Sequence, residues 1–512
     1  MNRHENFSFR LLNRTLARKT AGLQKTVCDH PKIILAAVIL LFSVAGMISC
    51  EKEEQLPEPE EPEKKQIVWA RREFRAAWIT TVGSYDWPTT KNNPDAQKAE
   101  LIAILERCRA LNFNTVFFQT RPTADAFYPS ALEPWSAYLT GTQGKDPGYD
   151  PLKFAIEEAH KREMELHAWI NPYRIGSTAA QLASNHVAVK NPSWVVVYNN
   201  IRYFNPGIPE VRQHLVAVVN DIVTRYDVDA IHFDDYFYPD GAKSASNPFG
   251  FNDQTAYQQY GNGADIHTWR EDNVKAMVQS VSQAIRSTRP GVCFGISPAG
   301  KRENSVKLYA DPFVWLQQKW IDYLVPQIYW EFNHPTADFG EVADFWNSNA
   351  LGIPVFAGIA AYKFKDPQYP AFASVSEFGH QIDKTRSLPN LHGCAFFRVK
   401  YLENSELFNY LATKFPHETL SPLQNPFRGI TPARPAVTVN NQLIRWDQVA
   451  GAVKYAVYIL KKEPEKKNSY RAEPVTVTQA LQFSATRGSS YFVTAVGAGN
   501  LESEKSDIVT IK

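Results

Sequence analysis

The sequence predicts an α/β fold: a (β/α)8 TIM barrel with elaborated loops, followed by a small C-terminal all-β sandwich. Three observations predict it. Eight short apolar runs rich in β-branched and aromatic residues recur from Phe74 onward, roughly 30 to 65 residues apart. Helix-patterned segments fill the gaps, as alternating β and α units require. After Pro426 the periodicity shortens to two over about 80 residues, the signature of half-buried strands in a sandwich. A doubly wound open sheet would carry a Gly-rich phosphate turn after its first strand. Here that strand ends Thr80-Thr81-Val82-Gly83, without one.

In chain order, the predicted barrel strands are Phe74–Thr81, Asn114–Thr120, Glu165–Asn171, Ala230–Asp234, Val292–Ser297, Tyr323–Trp330, Val355–Ala360 and Cys394–Val399. Helices are predicted at Ala96–Leu111, Leu152–Arg162, Pro209–Tyr226, Trp269–Arg289 and Phe339–Asn349. Thr431-Pro432-Ala433-Arg434-Pro435 reads as a linker. Sandwich strands are predicted at Val437–Val439, Gln442–Trp446, Lys454–Leu460, Tyr491–Val496 and Ile508–Ile511. The expected division is a targeting segment at 1–50, an acidic linker at 51–70, the barrel at 71–425 and the sandwich at 426–512.

Basic residues scattered from Arg3 to Lys32 precede an apolar run, Ile33–Ile48, too short for a comfortable membrane span. The run ends Met47-Ile48-Ser49-Cys50, which resembles the lipobox of bacterial lipoproteins with Met where Leu is usual. That resemblance implies a cleaved signal peptide and lipidation at Cys50. An uncleaved N-terminal anchor is the competing reading. From Glu51 to Glu63 acidic residues interleave with Pro57, Pro59 and Pro62, a composition that buries no core and makes an extended, solvated tether. Acidic residues just after a lipidated Cys resemble the export signal of surface lipoproteins in the Bacteroidetes. The expected location is the outer membrane or cell surface, with the membrane engaged through the lipid anchor.

Composition narrows the function. The chain is 44% hydrophobic and 21% charged, with a formal net charge of +2, which favours neither nucleic acid nor an acidic partner. None of the five cysteines forms a CxxC pair, so neither a zinc site nor a redox motif is expected. Cys108, Cys293 and Cys394 sit in apolar runs and read as core residues. Aromatics make up 13% of the chain; such rings pack large barrels and also stack against the C–H faces of sugars. No cofactor fingerprint occurs, and a monomer is expected.

The strand ends carry the chemistry. In this fold the active site lies at the C-terminal ends of the strands. The fourth strand ends His232-Phe233-Asp234-Asp235-Tyr236, two adjacent carboxylates after an apolar run. Each loses hydration there and repels the other. Alternation puts Gln119 and Arg121 on one face, likewise His167, Trp169 and Asn171, likewise His232 and Asp234, and likewise Gln327, Tyr329 and Glu331. Four strands thus aim polar groups into one barrel mouth.

Carboxylates without a nucleophile elbow or phosphate loop point to glycoside hydrolysis, in which one carboxyl protonates the leaving oxygen and a second serves as nucleophile or base. Asp234 is the first candidate for nucleophile or charge stabiliser. Asp235 stands beside it, and two such close acids split their titrations. Glu331, between Trp330 and Phe332, is the candidate general acid, because an apolar pocket raises a Glu pKa. Loop acids Asp86 and Asp125 are the fallback partners. Arg121, Arg174 and Lys301 are cations for carboxylates of enzyme or substrate. Trp78, Trp87, Trp169, Tyr236 and Tyr329 are candidate sugar platforms. With Asp86, Gln119, Asn171, His167, His232 and Gln327, these complete the expected substrate-binding set. No HxH or HExxH pair is present, so no metal is assigned.

Several motifs together resemble glycosyl-hydrolase-like family 10, the (β/α)8 domain formerly listed as domain of unknown function 187. They are Arg72-Glu73-Phe74-Arg75-Ala76-Ala77-Trp78, Ser84-Tyr85-Asp86-Trp87-Pro88, His167-Ala168-Trp169-Ile170-Asn171-Pro172-Tyr173-Arg174, Ile231 to Pro239, Trp269-Arg270-Glu271-Asp272-Asn273, and Asp322 to Trp330. The resemblance spans roughly Arg71 to Asn425, with Ala76 where the family usually has Gly. It implies a bacterial, often lipoprotein, glycosidase related to α-amylase-type barrels, with some members acting on cell-wall glycan. In those barrels the nucleophile ends the fourth strand, which matches Asp234. Their general acid is a Glu ending the fifth strand, whereas this chain has Ile296-Ser297-Pro298-Ala299-Gly300 there. In the C-terminal segment, Trp446, Tyr455, Tyr458 and the run Tyr491 to Ser503 resemble a fibronectin type III module.

The expected function is that of a lipid-anchored glycoside hydrolase of the cell envelope, acting on a polysaccharide such as peptidoglycan glycan strands. The alternatives are a non-catalytic glycan-binding surface lipoprotein and a metal-dependent carbohydrate deacetylase or esterase.

Overall fold

Eight parallel strands close into a barrel: β1 (Phe74–Ile79), β2 (Thr115–Arg121), β3 (Glu165–Ile170), β4 (Ala230–Phe233), β5 (Cys293–Ile296), β6 (Tyr323–Leu324), β7 (Val355–Ile359) and β8 (Leu391–Phe396). Each strand pairs with the next in sequence, and β8 pairs with β1. The computed structural model describes residues 65–242, 250–423, 430–464, 466 and 468–512. Cys50, the basic segment and the apolar run before it lie outside the described residues, as does most of the acidic linker. Among the described residues no helix is long and apolar enough to cross a membrane.

Every predicted run overlaps a barrel strand, but β6 is only two residues long. Pro326 supplies no N–H to a ladder. Beyond it, Ile328 N and Tyr329 N turn back onto the carbonyls of Pro326 and Gln327, at 2.9 Å each. Strand periodicity therefore stops before Glu331.

The five predicted helices all form, at Pro94–Ala110, Pro151–His160, Pro209–Arg225, Ile266–Thr288 and Phe339–Ser348. Asn93, Asp150, Asp265 and Asp338 cap four of them by accepting first-turn N–H groups. Each cap is worth about 1 kcal/mol. Proline at the first position fixes φ where no N–H is needed.

The barrel interior is filled by Phe74, Ala76, Trp78, Phe117, Trp169, Tyr323, Val325 and Phe356, among others, with Phe74 and Phe356 stacked at 3.9 Å. Gly295 on β5 makes room for Tyr323: a Cβ there would sit 2.0 Å from its ring. Between β3 and β4 a small antiparallel sheet of Arg174–Ser177, Ile201–Phe204 and Val195–Tyr198, in that order, stands at the mouth.

The C-terminal region forms two further sheets. Strands Val437–Asn440, Leu443–Trp446 and Gln482–Ser484 make one. The other contains Gln66–Trp69, Ser469–Thr478, Ala452–Lys462, Ser490–Gly497 and Val509–Thr510, in that order. Ile444, Trp446, Tyr455, Val457, Tyr491 and Val493 form their shared core. Three strands here are absent from the sequence reading, the short Gln482–Ser484 among them. Gln66–Trp69 lies in the segment read as linker, yet it pairs in parallel with Ser469–Ala472. Ser469–Thr478 contains Pro474, which reads as a breaker. It sits where Gln66–Trp69 has already stopped and where the ladder to Ala452–Lys462 is irregular, between Val457 and Tyr458, the kind of place in a sheet that accepts a proline. Arg72 is ion-paired with Glu502, and Asn500 bonds to Glu165 at the start of β3, so these sheets sit against the N-terminal end of the barrel.

Candidate active site

A cavity of about 690 Å³ opens at the C-terminal ends of the barrel strands. Asp234 and Asp235 are the carboxylates that line it among the described residues. β4 ends at Phe233, whose carbonyl accepts the last ladder bond, from Ser297 N at 2.8 Å. The chain then turns, with Tyr236 N donating to Asp234 Oδ1 at 3.3 Å, as Asp does when it closes a turn on its own backbone. Strict alternation ends here, and both carboxyls reach the cavity.

Asp234 is heavily held. Its Oδ2 accepts from Trp169 Nε1 at 2.9 Å and from Asn171 Nδ2 at 3.2 Å. Asn171 is itself set by accepting Arg174 N at 2.9 Å. Burial and the neighbouring Asp235 push the Asp234 pKa up to about 7, against the pull of these donors. Burial also raises Asp235, opposed by its hydrogen bond to the Gln327 side chain. Gln327 is anchored in turn on Ser297 O at 3.0 Å. Among the described residues no cation is bonded to either carboxylate, so the two titrate as a pair that holds a proton near neutrality.

Around the pair the walls are aromatic. Trp78 and Trp169 line the floor, and Tyr329 stacks on Phe397 at 5.8 Å. Tyr236 is 45% exposed at the rim, with the Arg174 guanidinium 5.4 Å above its ring. Across from β4, Arg398 lies between Tyr85 and Tyr401, at 5.1 and 5.2 Å, and bonds to Asp86 at 2.7 Å. Gln119 also lines the cavity; its Oε1 accepts from Thr81 N and Val82 N, at 2.9 and 2.8 Å, and shapes the β1 loop.

Six residues of the expected set do not line the cavity. His167 and His232 point inward but one layer deeper, fully buried, both bonded to the Tyr323 hydroxyl, at 2.8 and 3.1 Å. Two residues along a strand is roughly 6–7 Å of depth, which alternation alone ignores. Arg121 is wholly buried in an ion pair with Glu133, Nε to Oε2 at 2.7 Å, and also holds Asn171 O. Trp87 is core, its Nε1 donating to Gln97 O at 2.8 Å. Asp86 stands behind the wall and positions Arg398. Glu331 follows the tight turns after Pro326; its charge is felt at Lys363 and Glu377, not at Asp234. The fallback acid Asp125 is buried against Thr123 and Gln143. Lys301 bonds to Thr336 O.

Phe397, Arg398, Tyr362, Tyr401, Tyr85 and Tyr138 line the cavity without having been read from sequence. Applied to the eighth strand, the strand-end rule points to Phe397-Arg398; the tyrosines sit on loops and carry no such signal. Among the described residues no three His, Cys, Asp or Glu groups gather to hold a metal ion.

The arrangement can protonate or deprotonate a bound oxygen through the aspartate pair, and can stack a ring against its walls. The comparisons agree with that architecture. Residues 73–372 match the model of the family described as Glycosyl hydrolase-like 10. Glycosyl hydrolase YngK of Bacillus subtilis (strain 168) is 43% identical over 360 residues, 66% of this chain and 70% of that protein. Glycosyl hydrolase DigH of Escherichia coli (strain K12) is 32% identical over 440 residues, 77% of this chain and 98% of that protein. Among solved structures, an alpha-L-fucosidase isoenzyme 2 from Paenibacillus thiaminolyticus is 14% identical with a TM-score of 0.44, over 67% of this chain and 50% of that one; a likeness so remote bears on nothing further. The chain belongs to the Glycosyl hydrolase-like 10 family.

Proposed function

We propose that the protein is a glycoside hydrolase of the bacterial cell envelope, cleaving O-glycosidic bonds of a polysaccharide by carboxylate acid/base catalysis. The observation that carries this reading is the Asp234–Asp235 pair, Asp234 buried and Asp235 half-buried, with no cation bonded to either among the described residues, in an aromatic-walled cavity at the barrel mouth. A structural role for such carboxylates would come with a cation to neutralise them. Shared protonation near neutral pH is what an acid/base site needs. Peptidoglycan glycan strands are the substrate we favour, in keeping with a lipid anchor at Cys50 that leaves the barrel on the envelope. Arg174, Tyr236, Trp169, Trp78, Gln327, Tyr329, Asn171 and Gln119 then contact the sugar.

The test is reducing-end release from purified glycans, peptidoglycan strands included, by the wild type and by Asp234→Asn. Release by the wild type and its loss in the folded variant is the expected result. Binding of glycans with no turnover of any of them by the wild type would instead support a binding protein, the reading favoured by the missing carboxylate at the end of β5.

A further inference from the structure

The two carboxylates of the cavity are neighbours in the chain, and they stand at the end of one strand. In a closed ring of eight strands β4 faces β8. The facing wall carries Phe397 and Arg398, just past the end of β8, flanked by Tyr362 and Tyr85. Among the described residues it offers the cavity no carboxylate. Arg398 is already neutralised by Asp86, and burial first, then neighbouring phenols, pushes Tyr362 up to about 12.

This matters because displacement at an anomeric carbon is in line. The leaving oxygen departs on one face and the nucleophile arrives on the other. With both acids on one side of the bound sugar, the described residues that line the cavity supply a proton donor but no carboxylate to attack from behind. The pair is also unequal. Asp234 accepts from Trp169, Asn171 and the Tyr236 amide, and so is set as an acceptor. Asp235 is bonded to the Gln327 side chain, and with Asp234 set as an acceptor we assign to Asp235 the delivery of the proton the pair shares.

We propose that the missing nucleophile is the substrate's own 2-acetamido group, so that the site cleaves 1,2-trans-linked 2-acetamido-2-deoxy glycosides with retention. The inference rests on the glycosidase reading and deepens it. In the first step the acetamido carbonyl oxygen bonds to C1 as the C1–O glycosidic bond breaks. The leaving oxygen takes the bond's electron pair and the proton of Asp235. Asp234 holds the amide N–H and stabilises the resulting oxazolinium. In the second step water bonds to C1, its proton passes to Asp235, and the ring C1–O bond opens to restore the acetamide. The 1,2-trans requirement follows because the carbonyl must approach opposite the leaving oxygen. Trp78 and Trp169 give the acetamide methyl an apolar floor.

The experiment uses the wild-type chain and a series of fluorogenic β-linked N-acetylglucosamine oligomers whose acetyl group bears no, one, two or three fluorines, with the 2-hydroxy analogue as control. Fluorine weakens the carbonyl nucleophile. The expected result is a kcat that falls by about tenfold or more across the series, no cleavage of the 2-hydroxy control, and a product of retained configuration by NMR. Indifference to fluorine, equal cleavage of the control, or inversion overturns the inference and leaves a glycosidase of another mechanism. Failure to cleave any member, or any glycan, overturns the glycosidase reading and this inference with it.

Discussion

Two buried acid sites lie close together in this barrel and behave in opposite ways. Behind the wall, Glu133 is bonded to Arg121 and to His214 Nε2 at 2.9 Å. Burial opposes its charge, yet those partners hold it down to about 2. In the cavity, Asp234 is equally withdrawn from water but meets an acid, Asp235, instead of a cation, and rises to about 7. Burial is common to both; the partner decides the sign. Glu133 is therefore a permanently charged brace that fixes Arg121 and, through Arg121, the backbone of Asn171. The aspartate pair keeps an exchangeable proton where a substrate can reach it.

The sharpest way to break this comparison is to neutralise each site in turn. Asp234→Asn and Asp235→Asn are expected to lower kcat by about 10³-fold or more, measured as glycan release, while circular dichroism stays that of the wild type. Glu133→Gln is expected to leave Arg121 buried and uncompensated. Its urea unfolding should lose about 3–5 kcal/mol, with kcat of the folded enzyme nearly unchanged. A catalytic collapse without loss of stability there would erase the distinction between brace and reactive pair.

Stability against pH separates the sites further. Asp234 has a folded-state pKa of about 7, above the ordinary value of 3.8. The unfolded chain sheds this proton first, so rising pH between about 4 and 7 destabilises the fold, by an amount on the order of a few kcal/mol. Asp234→Asn is thus expected to melt higher than the wild type at pH 7, with the difference gone near pH 4. Glu133 has the opposite sign. Its contribution is present above its ordinary pKa of 4.5 and is lost as pH falls toward about 2. A thermal scan series of both variants over pH reads the two slopes directly. The smallest effect is expected at the rim. Tyr236→Ala should cost about 0.5–1.5 kcal/mol of substrate binding, seen as a raised KM with kcat nearly unchanged.

Much of this was legible in the residues. Apolar patterning marked every barrel strand and five of the helices, because a strand buried on both faces and a helix packed on one must show it, but it passed over the helices Ser376–Ser387 and Ser405–Lys414. The strand-end rule brought Asp234, Asp235, Trp169, Asn171 and Gln327 to one mouth. It failed where depth or a turn intervened. His167 and His232 have the correct face but the wrong layer, and Glu331 follows a proline that ends the alternation on which its placement depended. Arg121 and Arg174 look alike as strand-end cations; one is sealed against Glu133, and the other lines the cavity.

The sequence by itself determined the barrel, the order of its strands and the position of the aspartate pair, since these follow from local periodicity and from residues adjacent in the chain. Tertiary structure alone decided which acids are braced and which are free to exchange a proton. It also decided that Arg398 and Tyr362 form the wall facing the pair. Those properties depend on partners brought from distant parts of the chain, Arg398 to Asp86 across more than three hundred residues, and no local pattern encodes a partner.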